Sequence, residues 1–431
     1  MLIGAVFFIA DCRAAGGDLV HEFPHAGLFL RLCFSSIYKK GIMKWPDWRG
    51  ADSGKGTDEK KATYNWGDND RRKNMLNKIA RLVGAFFITL AVLLLMLFIV
   101  LTAMEYRPES TEKVKIDSLA EDTFDSLKAG SSIKVMSWNI GYGALGDNAD
   151  FFMDGGSQVT TASAERVQEN MQGIIDELKS KKADVMFLQE VDRFSTRAHH
   201  ANEQQDIAES MDGYQSTFAN NFKVRYVPYP WPPIGRVDSG IMTLSRFAQS
   251  DSTRISLPCP FEWPVRIANL KRCLMVNRVP IAGTKKELVM INLHLEAYDN
   301  GEGKVKQTKA LLKVMEEEQK KGNYVIAGGD FNQTFSNVDI GKYPSSEDIW
   351  TPGKIDTKDF GKDWNLLMDN SNPTCRSLDK VYKNADKKDC YYYMLDGFIL
   401  SKNLQVDSIK TENLNFKNSD HNPVILKATL N

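Results

Sequence analysis

The chain has 431 residues, enough for one large or two ordinary domains, and its 42% hydrophobic and 26% charged content is that of a globular protein with zero formal net charge. The zero hides an asymmetry, because residues 1–104 carry 14 Lys/Arg against 9 Asp/Glu (net +5) and the remainder carries 41 against 46 (net −5). A mildly acidic second part argues against tight, non-specific nucleic-acid binding, although it does not exclude a nuclease whose metal ligands are themselves acidic.

Residues 1–77 read as a cytoplasmic tail without a fold of its own. Met1–Ala10 is apolar but lacks a basic n-region. Met43 opens a more ordinary leader of polar, then basic, then apolar residues, so residues 1–42 are expected to be an upstream extension. Leu82–Met104 is an uncharged run of 23 residues, long enough to span a bilayer's hydrocarbon core. Arg71, Arg72, Lys73, Lys78 and Arg81 precede it. By the positive-inside rule the N-terminus is then cytoplasmic and everything after Met104 extracytoplasmic, with residues 78–104 a signal anchor. Residues 105–131 are polar and read as a stalk, leaving 132–431 as one domain.

Cys12 and Cys33 precede the apolar run; Cys259, Cys273, Cys375 and Cys390 follow it, with no C-x-x-C pair to suggest zinc. Outside the membrane the last four can form disulfides, for which Cys259–Cys273 and Cys375–Cys390 is the simplest pairing, while four free buried thiols stay open as the alternative.

Beyond residue 131, strands are expected over Ile133–Trp138, Ala183–Gln189, Ser239–Ser245, Leu274–Val279, Glu287–Leu293, Tyr324–Ala327, Tyr391–Leu400 and Val424–Leu430. Helices are expected over Ala164–Lys181, where Val167, Met171, Ile174, Ile175 and Leu178 share a face, and over Val305–Lys320. Many strands and few helices imply two stacked sheets with helices outside. Polar side chains recur at the strand ends: Asn139, then Glu190 and Asp192, then His294. Asp330 and Asn332 follow Gly328-Gly329, Asp396 lies within an apolar strand, and Asp420-His421 precedes the last strand. Each has an ordinary structural explanation, such as an Asx turn or a satisfied core histidine; their joint occurrence points to a shared site.

The segments Ser137-Trp138-Asn139-Ile140-Gly141, Leu188-Gln189-Glu190-Val191-Asp192, Ser239-Gly240-Ile241, Asn292-Leu293-His294-Leu295, Gly329-Asp330-Phe331-Asn332, Leu395-Asp396-Gly397-Phe398 and Ser419-Asp420-His421-Asn422-Pro423 occur in that order. Together they resemble the successive signatures of the endonuclease/exonuclease/phosphatase superfamily (DNase I-like nucleases, neutral sphingomyelinases, inositol-polyphosphate phosphatases), here as a bacterial-type membrane-anchored member. The resemblance covers residues 132–431. It implies an α/β fold, a four-layer α/β/β/α sandwich of the DNase I type, preceded by one transmembrane helix. It further implies Glu190 as the principal metal ligand with Asn139 and Asp420 as helpers at the metal or the phosphate. Asp330 and Asn332 would orient water and phosphate, His421 would be the catalytic histidine with Asp396 as its partner, and His294 a second histidine that contacts phosphate or protonates the leaving group.

An all-oxygen set of carboxylates and amides suits a hard cation, Mg²⁺ or alternatively Mn²⁺. Arg193, Arg197 and His200 follow the Glu190 motif and are expected to place cations at the rim for a second phosphate or an anionic headgroup, against the alternative of a solvated loop. Phe151–Gly156 reads as an apolar, flexible insertion, and Tyr226–Gly235 as a rigid aromatic and proline turn. The resulting expectation is a membrane-anchored, extracytoplasmic, Mg²⁺-dependent phosphoesterase. It is expected to hydrolyse a phosphodiester in a lipid headgroup or small molecule in preference to nucleic acid. The alternatives are an extracytoplasmic DNase-type nuclease and a catalytically silent binding module on the same fold.

Overall fold

The computed structural model describes residues 66–119, 123–344, 346 and 349–431; the expected start at Met43 and nearly all of the tail lie outside them. The chain forms two units, a helix-bearing one that reaches Ile99 and one of residues 100–431. The helix, Trp66–Ala103, contains from Asp70 onward a stretch long and apolar enough to cross a membrane.

In chain order the strands are Thr111–Lys113 (β1), Ile116–Asp117 (β2), Leu127–Lys128 (β3), Ser132–Asn139 (β4), Val185–Asp192 (β5), Gln215–Val227 (β6), Gly235–Ser245 (β7), Asp251–Ser256 (β8), Cys273–Ala282 (β9) and Glu287–His294 (β10). They continue with Tyr324–Asp330 (β11), Gln333–Phe335 (β12), Gly353–Ile355 (β13), Trp364–Leu367 (β14), Cys375–Arg376 (β15), Tyr392–Tyr393 (β16), Asp396–Ser401 (β17), Leu404–Thr411 (β18) and Val424–Leu430 (β19). One sheet runs β1-β8-β9-β10-β11-β17-β14, with β3 alongside β9, and the other runs β18-β19-β4-β5-β7-β6-β2.

Both faces of the central strands are apolar, so alternate residues serve different layers. Val135, Val185, Phe187 and Leu426 of one sheet meet Met290, Ile326 and Phe398 of the other in the core between the sheets. Their neighbours Met136, Trp138, Met186 and Leu188 face outward onto Val167, Met171, Ile174 and Leu178 of the helix Ala164–Lys181. On the far side Val289, Ile291, Val325 and Ala327 pack on Leu311 and Met315 of the helix Glu302–Lys320. The result is helix, sheet, sheet, helix: an α/β sandwich preceded by one apolar helix.

Several boundaries differ from the sequence reading. β11 runs through Gly328-Gly329 to Asp330 instead of stopping at Ala327, because both glycines lie where strands crowd. A Cβ on Gly329 would stand 2.0 Å from the Leu293 carbonyl oxygen, and one on Gly328 would stand 2.4 Å from Phe398 Cδ1. Asp396 opens β17 rather than sitting mid-strand, since residues 394–395 break the expected Tyr391–Leu400 strand in two. Residues 105–131, read as a stalk, contribute β1, β2 and β3 to the sheets. Of the two readings left open for the thiols, the structure has the second: Cys259, Cys273, Cys375 and Cys390 are all free. Their sulfurs turn to local carbonyls, Cys273 to Asn220 at 3.8 Å and Cys390 to Asp386 at 3.5 Å, rather than to each other.

Candidate active site

Register brings the strand-end residues together. β10 and β11 are parallel with His294 opposite Asp330, and β11 and β17 are antiparallel with Asp330 opposite Asp396. In the facing sheet β4 and β5 are parallel, which sets Asn139 beside Gln189, one residue before Glu190. Three adjacent strands of one sheet and two of the other therefore deliver polar groups to the same end of the sandwich. Glu190 has φ +55° at an irregularity in the β5–β7 ladder between Leu188 and Val191, which turns its side chain off the strand's alternation. Asn332 also has φ +50°.

Asn139 ties the two sheets. Its Nδ2 donates to Glu190 Oε1 and to Asp330 Oδ2, each at 3.1 Å, and its Oδ1 accepts the Gly141 amide at 3.0 Å. Asp330 Oδ1 accepts the Asn332 amide at 2.8 Å, and the Asn332 side chain donates to the Leu295 carbonyl at 2.9 Å. Asp330 Oδ2 lies 3.5 Å from His294 Nε2 and 3.9 Å from His421 Nε2. His421 Nδ1 is 2.8 Å from Asp396 Oδ2, and its backbone carbonyl accepts the Trp138 indole N–H at 2.9 Å. Asp420 lies beside His421 on the segment that Ser419 ties to the Asn139 carbonyl at 2.8 Å. Asn139, His294, Asp330, Asn332, Asp396, Asp420 and His421 are all buried, and Glu190 is half-buried.

The electrostatics follow from packing four carboxylates with two imidazoles. Burial, then the Asp396 charge, pushes Asp330 up to about 7. Burial pushes Asp420 up to about 6, with Glu190 adding to the effect. Burial alone would lower His421, but the Asp396 carboxylate outweighs it and lifts the imidazole well above its ordinary value. His294 is held well below the ordinary histidine range by burial and by Arg272, His421 and Arg197.

Among the described residues, two trios bring ligand-type atoms within 4.8 Å of one another, Asp330–Asp396–His421 and Cys375–Asp420–His421. Both use His421, whose Nδ1 is engaged by Asp396, and the Cys375 thiol is pushed up to about 12 by burial and so stays protonated. The carboxylates of Glu190 and Asp420 offer the hard oxygen donors that suit a divalent cation, while Asn139 turns its Nδ2 to Glu190 and its Oδ1 to the Gly141 amide. The upward shifts of Asp330 and Asp420 are the mark of negative charge lacking a counter-charge, which such a cation supplies.

The expected rim cations are otherwise engaged. Arg197 makes a two-pronged contact with buried Asp192 (2.9 and 3.0 Å) and stacks over Tyr142, while Arg193 pairs with Asp238 at 3.1 Å and Asn220 at 3.0 Å. His200 is exposed and stacks on Phe194. These contacts fit neither a solvated loop nor unpaired guanidiniums: the two guanidiniums hold the β5–β7 region together. The sequence reading missed Asp154 and Tyr298. Tyr298 donates to Asp154 at 3.1 Å, and half-buried Asp154 is raised by desolvation, with Asp420 and Glu190 contributing, which sets it within reach of the site's charge. Their only signals were the insertion around Phe151–Gly156 and a tyrosine four residues past His294. Thr374 was also missed; its hydroxyl accepts the Leu395 and Asp396 amides at 2.8 and 3.2 Å and so fixes the start of β17.

None of the curated proteins matches this chain in sequence. Among solved structures the chain is similar to an endonuclease/exonuclease/phosphatase from Beutenbergia cavernae DSM 12333, with 18% identity over 69% of this chain and 72% of that one and a TM-score of 0.45. It is similar to another from Bacteroides vulgatus, with 15% identity, 70% and 100% coverage and a TM-score of 0.46. The human Nocturnin catalytic domain with bound sulfate anion gives 18% identity, 74% and 98% coverage and a TM-score of 0.43. A family model for the Endonuclease/Exonuclease/phosphatase family matches residues 136–381, more than half of the chain. The chain therefore belongs to the Endonuclease/Exonuclease/phosphatase family and is a metal-dependent hydrolase of phosphate ester bonds.

Proposed function

We propose that the chain is a Mg²⁺-dependent phosphodiesterase that hydrolyses a lipid headgroup or small phosphodiester on the extracytoplasmic side of a membrane. The observation that carries this reading is the convergence of Glu190, Asn139 and Asp330 with the His421–Asp396 pair at one end of the sandwich. Glu190, with Asn139 and Asp420, would hold the cation, which supplies charge stabilisation at a phosphoryl oxygen and the leaving oxygen. Asp396 accepts the Nδ1 proton of His421 and so leaves Nε2 facing Asp330 Oδ2 across 3.9 Å, a gap suited to a water or a phosphoryl oxygen. Asp330, fixed by the Asn332 and Asn139 donors, orients that water, and His294 as a neutral imidazole offers a hydrogen bond to phosphate. The net −5 of residues 105–431 and the apolar run before them favour a small or membrane-borne diester over long DNA. We further propose residues 78–104 as the signal anchor, which places residues 132–431 outside.

The test is turnover of bis-aryl phosphate, sphingomyelin, phosphatidylinositol phosphates and plasmid DNA by the full chain, with Mg²⁺ or EDTA. Glu190→Ala and His421→Ala variants run alongside. Mg²⁺-dependent turnover of one lipid or small diester, lost in both variants, supports the reading. Preferential cleavage of DNA, or turnover untouched by both substitutions, overturns it.

A further inference from the structure

Glu105 is the first residue after the apolar run that ends at Met104. A carboxylate there is buried, 1% exposed, and three cations share it. Arg107 Nε and Arg266 Nε each donate to it at 3.0 Å, and Lys271 Nζ stands 3.3 Å away. Beside it opens a cavity of about 410 Å³ lined by Glu105, Arg107, Arg266, Lys271 and Arg272, with Pro108 at its edge. Arg272 is matched by buried Glu296 at 3.3 Å, so the lining keeps three cations against one carboxylate, an excess of two positive charges. Glu109 and Glu112 come next on the same segment, but the Glu112 side chain turns to Arg254 at 3.9 Å. Burial pulls Lys271 below the ordinary lysine range, an unfavourable state that a bound anion relieves.

Two observations orient this cavity. By chain length alone its lining begins one residue past the apolar run, so it sits at the membrane surface wherever that run crosses a bilayer. Trp263, 55% exposed, donates its indole N–H to Thr102 Oγ1 at 3.1 Å, and Thr102 is one of the last residues of the run. Tryptophan with an apolar body and a donor at its tip belongs at the interface between hydrocarbon and headgroups.

We propose that this cavity binds the phosphate headgroup of an anionic membrane lipid. Two guanidiniums and an ammonium around an open volume supply forked and point donors for phosphate oxygens. Basic residues clustered at a membrane surface favour an anionic over a zwitterionic lipid. The catalytic side chains take no part: Arg272 turns its Nη1 away, toward the His294 carbonyl at 3.1 Å. The inference rests on the apolar run crossing a membrane and is independent of which ester the enzyme cleaves.

The test is native mass spectrometry of the full chain in a non-ionic detergent with phosphatidylglycerol, phosphatidylcholine or inorganic phosphate. It compares wild type with Arg107→Ala and with a doubly substituted Arg266→Ala, Lys271→Ala chain. Arg107 is 63% exposed, so its variant keeps the fold. Circular dichroism checks the double variant. The expected result is retention of phosphatidylglycerol at least about tenfold above phosphatidylcholine, lost in both folded variants. Equal retention of the two lipids, or retention of phosphatidylglycerol unchanged in Arg107→Ala, overturns the proposal. Displacement of the lipid by inorganic phosphate at equal concentration makes it a free-anion site and overturns the lipid assignment. Lipid binding is read without turnover, so its failure is separate from failure on the ester panel.

Discussion

His421 Nδ1 stands 2.8 Å from Asp396 Oδ2, while the other oxygen of Asp396 has no partner although the residue is fully buried. The carboxylate is thus committed to the imidazole alone and fixes the Nδ1–H tautomer. Asp396→Asn keeps the shape but removes the charge that lifts His421 and offers an N–H to Nδ1, so the ring loses both its raised basicity and its fixed tautomer. We expect kcat to fall by roughly 10²–10⁴-fold with KM little changed, measured by steady-state kinetics on whichever diester is turned over. A fall below about threefold removes His421 from the proton-transfer role.

Glu190→Gln preserves volume and the contact with Asn139 but removes the half-buried carboxylate assigned to the cation. Calorimetric titration with Mg²⁺ is expected to show affinity weakened by on the order of 10–100-fold, with the unfolding temperature of the metal-free chain nearly unchanged. Unaltered affinity would shift the metal to other side chains.

Gly329→Ala tests the strand crossing. With φ +149° and the Leu293 carbonyl oxygen 2.0 Å from any Cβ, the substitution must push β10 and β11 apart where they carry His294 and Asp330. We expect a loss of ~3 kcal/mol or more in urea unfolding. Gly213→Ala, which has φ +76° but nothing within 4 Å of a Cβ, should cost about 1 kcal/mol. Similar costs at both sites would mean that conformation, and not crowding, decides.

Acid stability should depend on Glu318. Its carboxylate takes two bonds from Arg278 (2.7 and 3.0 Å), one from Lys321 (2.7 Å) and one from Asn323 (2.8 Å). Burial would raise it, yet these donors bring it down to about 2 from an ordinary 4.5. A folded value below the unfolded one contributes stability that is present above about 4.5 and lost as the pH falls toward 2. The group is nearly inaccessible by surface area, at 5%, but only partly enclosed by surrounding atoms. Allowing for solvent screening, the contribution is ~1–2 kcal/mol. Unfolding of wild type and Glu318→Gln should differ by that amount at pH 6, and the gap should close as the pH falls toward 2. A constant gap across this range would assign the effect to packing.

The helix Ala164–Lys181 and the strand Val424–Leu430 match the sequence reading to the residue because their signals are local: a 3.6-residue apolar face for one and a bounded β-branched run for the other. β6, thirteen residues long, was missed because Asn220-Asn221 interrupt its alternation before Phe222-Lys223-Val224-Arg225-Tyr226 and its partner β7 lies across a turn. The site residues were legible as strand-end polar groups. That Asn139 bridges Glu190 and Asp330 was not, because it depends on how two sheets face each other. The occupation of Arg193 and Arg197 by Asp238 and Asp192 was equally invisible, since pairing across strands leaves no mark in spacing. The state of the thiols stayed open for a related reason: sequence proximity says nothing about which carbonyl a buried sulfur turns toward.

The segment that leaves the apolar run adds an edge strand to each sheet in turn, Thr111 opposite Ile255 in one and Ile116 opposite Thr217 in the other. Only residues 105–110 separate Met104 from the first of these pairings. Six residues extend to no more than ~20–25 Å. If the run is embedded in a bilayer, the catalytic body, joined to it by so short a segment and pinned through Glu105 to Arg266 and Lys271, works in a thin layer of solvent next to one leaflet. Esters carried in that leaflet then meet the enzyme at a high local concentration that free diesters in bulk solution do not share, and a longer spacer inserted before Thr111 would dilute that advantage.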